Sequence, residues 1–299
     1  MSIQDEIEVL KKQTGAVILA HNYQRPEVQD IADFVGDSLE LSLQAKIGKE
    51  NLIVFCGVRF MAETAKLLSP QKTVLLPESN AGCPLADMMD EASFFAWRKQ
   101  YPSYPLVTYI NSSVEIKAQT DVCCTSANAE KVVNSLPSDS ILFGPDRCLG
   151  SWLQEKSGKN LILFPGYCPT HQLITPEDML LARTNYPDAV TMVHPECPKE
   201  IRDLSDFVVG TGGMIRTAKS HPSQHFLIGT EEGMLYRLKK EVPAKKFTLI
   251  NQKLYCPNMK KTTLISIKKA LQEKQNLITI PSVYQEKALI AIERMLAIQ

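Results

Sequence analysis

PESNAGCP (77–84), LFPGYCP (163–169) and NQKLYCP (251–257) are three Cys-Pro turns, each following an apolar run, with cysteines at 83, 168 and 256. These cysteines lie 85 and 88 residues apart. The same spacing governs other segments. VILAHNYQ (17–24), PLVTYINSS (105–113) and AVTMVHPEC (189–197) place His21, Tyr109 and His194 at separations of 88 and 85. DIADFVGDS, TDVCCTSANA and LSDFVVGTGGM place Ser38, Ser126 and Thr211 at the same two separations. NLIVFCGVRF, SILFGPDRC and QHFLIGTEEG then recur in the same order. Unrelated features that hold one period of about 87 residues mark an internal repeat. A further Cys-Pro, at Cys197, stands outside it.

Within each repeat, short Val/Ile/Leu-rich runs bounded by Gly, Pro, Asn and Ser read as strands. Between them, RFMAETAKLL (59–68), CLGSWLQEK (148–156) and GMLYRLKKEV (233–242) read as helices. In the first, Phe60, Met61, Thr64, Ala65 and Leu68 keep helical spacing. Strands alternating with helices predict βα units and short parallel sheets covered on both faces. A chain of 299 residues suggests about two domains. The repeat predicts three α/β modules instead, each an αβα sandwich. Residues 1–99 form the first, with a lead-in helix carrying Ile3, Ile7 and Leu10 on one face. Residues 100–184 form the second. Residues 185–299 form the third, with PSVYQEKALIAIERMLAIQ (281–299) as an amphipathic closing helix. Ligands of open parallel sheets bind beyond the carboxyl ends of the strands. Modules related by a pseudo-threefold axis would therefore point three strand-end clusters, and one Cys-Pro cysteine each, at a central junction.

Composition narrows the function. Thirty-three basic residues balance thirty-three acidic ones, so no nucleic-acid partner or polybasic membrane anchor is expected. No apolar run is long enough to span a membrane, and the N-terminus lacks a signal-type apolar core. A cytoplasmic protein is expected. In a reducing compartment, eight cysteines point to metal ligands or thiol chemistry rather than disulfides. No C-x2-C pair is present, so a metal site must be assembled from distant segments. Three thiolates leave two options open. Zinc would require a fourth protein ligand, whereas a [4Fe–4S] cluster would keep one iron open for a Lewis-acid role in dehydration.

The segments AHNYQ (20–24), GDS (36–38), YINSS (109–113), CTSANA (124–129), HPEC (194–197), VGTGGM (209–214) and YCPNMK (255–260) span nearly the whole chain. Together they resemble the quinolinate synthase family of NAD biosynthesis. That resemblance implies one [4Fe–4S] cluster per chain, held by Cys83, Cys168 and Cys256. It implies condensation of iminoaspartate with dihydroxyacetone phosphate to give quinolinate, phosphate and water. Functional coupling to the enzyme that produces iminoaspartate would follow. Some family members carry a C-x2-C-x2-C run around the third ligand. Here Ile250 and Lys253 stand at those positions, so no disulfide switch is expected.

Both substrates are anionic, and ring formation moves several protons. His21, Tyr23, Tyr109, His194 and Glu196 are the acid–base candidates. His21, Ser38, Tyr109, Ile110, Asn111, Ser126, His194, Pro195, Glu196 and Thr211 are the candidates for substrate binding. Ser38, Ser126 and Thr211 adjoin turns whose backbone N–H groups suit carboxylate or phosphate. Adjacent Cys123 and Cys124 would face opposite ways, and Cys56 and Cys148 read as core. Cys197 and Lys219 are left without an assigned role.

Overall fold

The computed structural model describes residues 1–298. Twelve strands form three sheets of four. The first contains β1 (Ala16–His21), β2 (Phe34–Gly36), β3 (Leu52–Cys56) and β4 (Thr73–Leu75). The second contains β5 (Leu106–Tyr109), β6 (Val122–Cys124), β7 (Ser140–Gly144) and β8 (Asn160–Leu163). The third contains β9 (Val190–Val193), β10 (Phe207–Val208), β11 (His225–Gly229) and β12 (Lys246–Leu249). The spatial orders are β2-β1-β3-β4, β6-β5-β7-β8 and β10-β9-β11-β12, all parallel. The repeat read from the sequence is thus a repeat of topology: each sheet is flanked by helices, as an αβα module requires.

The strands are nearly continuous apolar runs because helices cover both faces. Every residue of β1 is buried, as is every residue of β3 and β5. The lead-in helix runs Ile3–Thr14, with Ser2 and Asp5 forming a capping box. It ends at Gly15, whose φ of 63° lies in the left-handed region that glycine adopts without strain. The strand that follows begins at the next residue.

The expected closing helix is present, but where it packs was not legible beforehand. The C-terminal segment holds two helices, Leu264–Glu273 and Ser282–Ala297, and both leave the third sheet. The first packs Ile267, Ala270 and Leu271 with Ile7, Ile18 and Val54 of the first module. The second packs Ala288, Ala291, Ile292 and Met295 into a core shared by the first two modules. Between the two helices, Ile278 donates its N–H to the Val74 carbonyl and so covers the edge of β4. Residue 299 lies outside the described residues. The third sheet has a core of its own, which runs to Leu254 and draws in Ile174, Met179 and Ala182 from before residue 185. Its seam with the others includes polar bonds, among them Asn22 Nδ2 to Thr211 Oγ1 at 2.9 Å and Arg202 to the Cys148 carbonyl at 2.9 Å. No helix among the described residues is long and apolar enough to cross a membrane.

Candidate active site

Residues from all three modules line one cavity of about 170 Å³. His21, Tyr23, Ser38 and Cys83 come from the first, and Tyr109, Asn111, Ser126 and Cys168 from the second. His194, Glu196, Thr211 and Cys256 come from the third. Strand geometry explains this selection. His21, Tyr109 and His194 stand at or just beyond strand ends, and Tyr23, Asn111 and Glu196 follow two residues later. Ile110 and Pro195 lie between such positions and do not line the cavity. Ile110 packs in the core and Pro195 is buried. The chain bends at Ile110 and turns at Pro195–Glu196, which carries both side chains away from the cavity. Ser38 and Thr211 open helices, and Ser126 precedes one. Gly210 lets the third module approach the second, since a Cβ there would lie 2.9 Å from Ser126 Oγ.

The structure separates the eight cysteines into two groups. Cys56, Cys123, Cys124, Cys148 and Cys197 are buried, whereas Cys83, Cys168 and Cys256 are partly accessible. All three of the latter face the cavity. Surrounding protein pushes the Cys83 thiol up to about 12, and burial raises Cys168 and Cys256 too. The backbone N–H groups of Ala86, His171 and Met259, each three residues beyond a cysteine, act in the opposite direction. A bound cation would draw the protons off. Three thiols, one per module, with no fourth on the wall among the described residues, fit a group that takes three cysteines and leaves a position open. Cys168 also has His171 and Glu196 beside it, with ligand-type atoms within 4.8 Å of one another, a donor set that could hold a metal ion.

Glu196 is the hub of the acid–base groups. His171 Nδ1 lies 2.7 Å from Glu196 Oε2, a close electrostatic contact without hydrogen-bond alignment. His171 stacks on His194 with centroids 4.7 Å apart. The other ring nitrogen of His171 is 2.9 Å from Thr230 Oγ1, which is 2.6 Å from the Tyr23 hydroxyl. His21 and His194 are handled alike. Each Nδ1 accepts a backbone N–H from two residues on, Tyr23 at 3.1 Å and Glu196 at 3.3 Å. That bond places the proton of the neutral ring on Nε2. Burial pushes both imidazoles down to about 3, although the Glu196 carboxylate pulls them back up. Burial also pushes Glu196 up. The adjoining His194 and His171 imidazoles and the Tyr109 hydroxyl more than offset this and hold it at about 2. Burial and Glu196 raise Tyr23 and Tyr109, so both hydroxyls keep their protons. At neutral pH the cluster therefore offers the Glu196 carboxylate, the neutral imidazoles of His21 and His194 and two phenolic donors.

His171 carries no signal in the repeat, because Ala86 and Met259 occupy its equivalent positions. Its sequence position, three residues after Cys168, was the available clue. Asp37 was also passed over. It lines the cavity, caps the helix Ser38–Ile47, and is pushed up to about 6 by burial and by Glu40. Cys197 lies off the cavity wall with its thiol 3.5 Å from the Gly229 carbonyl. Lys219 pairs with Glu241 at an exposed site. The described lining residues include neither lysine nor arginine.

A family model described as quinolinate synthetase A protein matches residues 5–297. The chain belongs to the quinolinate synthetase A family. A quinolinate synthase of Thermodesulfovibrio yellowstonii is 52% identical over 295 residues, covering 98% of this chain and 97% of that protein. One from Dehalococcoides mccartyi is 50% identical over 296 residues, covering 99% and 98%. One from Caldicellulosiruptor saccharolyticus is 50% identical over 295 residues, covering 98% and 97%. Likeness over the full length of each relative makes this chain an enzyme of the quinolinate synthase family. The motifs that carried the resemblance, from AHNYQ to YCPNMK, lie around the cavity.

Proposed function

We propose that the chain condenses iminoaspartate with dihydroxyacetone phosphate to quinolinate, phosphate and water, with Cys83, Cys168 and Cys256 holding one [4Fe–4S] cluster. The observation that carries this reading is the division of the cysteines: one from each module reaches the cavity that holds Glu196, and the other five are buried. When bound, the cluster supplies a Lewis-acidic iron with an open position, which suits loss of water.

The protein's own groups supply the rest. Ionised Glu196 accepts protons, and the Tyr23 and Tyr109 hydroxyls donate them. His21 and His194 present Nε2–H donors to developing negative charge. Ser38, Ser126 and Thr211, with the backbone N–H groups at their turns, bind carboxylate or phosphate, and Asn111 orients the dicarboxylate. Binding by neutral donors fits a wall without lysine or arginine. Ile110 and Pro195 serve by spacing the residues on either side of them. The cytoplasm, where thiols stay reduced, suits such a cluster. An enzyme releasing iminoaspartate would be its functional neighbour.

The test is anaerobic purification with iron, sulfide and zinc analysis, a visible spectrum, and a quinolinate assay from the two substrates. About four irons per chain with quinolinate formation supports the reading. Iron without product would remove the reaction and keep the cluster. Stoichiometric zinc would point to Cys168, His171 and Glu196 as the metal site and overturn the cluster.

A further inference from the structure

One backbone bond docks each of the three cysteine turns. The N–H groups of Arg59, Arg147 and Glu232 donate to the carbonyls of Ala81, Gly166 and Leu254, at 2.8 Å in each module. Each acceptor stands two residues before a cysteine. The residues just before the donors are Val58, Asp146 and Glu231, at the repeat separations of 88 and 85. There the modules diverge. Asp146 Oδ2 accepts the Cys168 N–H at 3.0 Å, while Oδ1 accepts the Leu149 N–H at 2.7 Å. Glu231 Oε1 accepts the Cys256 N–H at 3.1 Å, while Oε2 accepts the Gly233 N–H at 2.7 Å. Lys260 Nζ lies 3.0 Å from Glu231 Oε1. Both carboxyl side chains are almost wholly buried, with Asp146 at 0% and Glu231 at 1% exposure. The Val58 side chain has no acceptor to offer Cys83.

A buried carboxyl group is costly unless its bonds are used, and here the same bond is made in two modules from different residue types. We propose that Asp146 and Glu231 are positioning residues that hold the Cys168 and Cys256 turns ready for the cluster, leaving Cys83 as the least constrained ligand. This rests on the cluster reading above. The chemistry gives a clean perturbation. A carboxylate can accept two N–H bonds, one on each oxygen. An amide of the same shape accepts on one oxygen and turns an NH₂ donor toward the other N–H. Asp146→Asn and Glu231→Gln each leave one of the two N–H groups without an acceptor, so the cysteine turn and the helix start can no longer both be held, with almost no change in volume.

The experiment compares the full-length wild type with both variants. In the iron-free chains, amide hydrogen exchange should quicken around Cys168 in Asp146→Asn and around Cys256 in Glu231→Gln, with the Cys83 turn unchanged. In the loaded proteins, chelator-driven iron loss should be about tenfold faster or more. The electron paramagnetic resonance signal of the reduced cluster should also change shape. Wild-type rates of iron loss together with wild-type exchange at both turns would overturn the proposal. A wild type that holds no iron sinks the cluster reading separately, and hydrogen exchange still judges the tethers. If Asp146→Asn is insoluble, Glu231→Gln, with Lys260 beside it, decides the question alone.

Discussion

Ser38, Ser126 and Thr211 repeat a hydroxyl at three equivalent places on the cavity wall, whereas Tyr23, Asn111 and Glu196 are equivalent in position and share no chemistry. The first set sits at helix starts and turns, where every module offers the same backbone donors. The second set sits just past the strand ends, where a side chain can be exchanged without disturbing the sheet below it. A ligand with several anionic groups can use three similar cradles. Moving protons in one direction requires a single base among weak acids. On the proposed roles, symmetry is kept among the hydroxyls that would bind and broken at Tyr23 and Glu196, which would move protons, with Asn111 between them as a binding group.

The sharpest way to break that comparison is at Glu196. Glu196→Gln keeps the shape and removes the base, so kcat should fall by about 10² to 10⁴ while the substrates still bind. Turnover near that of the wild type would take the acid–base role away from this residue.

Acid should act next, on the two strand-end histidines beside that set. His21 and His194 sit near 3 in the folded chain against an ordinary value of about 6.5. Between those values the unfolded chain binds more protons, so stability falls as pH falls from about 6.5 toward 3. Urea midpoints of the iron-free chain should drop over the accessible part of that window. They should drop less in His194→Gln, and parallel slopes in the two chains would exclude His194 as a source of the effect.

Ser126→Ala tests the repeated set. Losing one of several neutral donors should raise KM for the dicarboxylate about fivefold, or about 1 kcal/mol, with kcat little changed. A selective fall in kcat would move Ser126 from binding to chemistry. Lys219→Ala should be the smallest change, within about twofold on both constants, because Lys219 is exposed, its partner is Glu241, and surface pairs contribute little. A large rise in KM there would place a cation in substrate binding.

Much of this was legible in the residues. The period of the Cys-Pro turns and strand ends implied three like modules and brought Cys83, Cys168 and Cys256 into one class. Segments with the same pattern of apolar runs and turns must fold alike, and parallel βα units present their strand ends on one side. Ile110 and Pro195 show the limit, since a matched motif does not record which way each side chain points.

His171 and the buried pair Asp146 and Glu231 show it from the other direction. His171 has no counterpart in the other modules, and its contacts with Glu196 and Thr230 join residues 25 and 59 positions away. Asp146 and Glu231 lay in segments whose repeat was visible, but only their bonds to Cys168 and Cys256 give them a use. The two C-terminal helices, which cross back to the first and second modules, likewise depend on apolar faces provided far away. The order and likeness of the elements were determined locally, by hydrophobic pattern and turn chemistry along the chain. Which thiols stay accessible, which carboxyl groups are buried and which rings meet was decided by packing between distant segments, because burial and hydrogen-bond partners exist only once those segments are in contact.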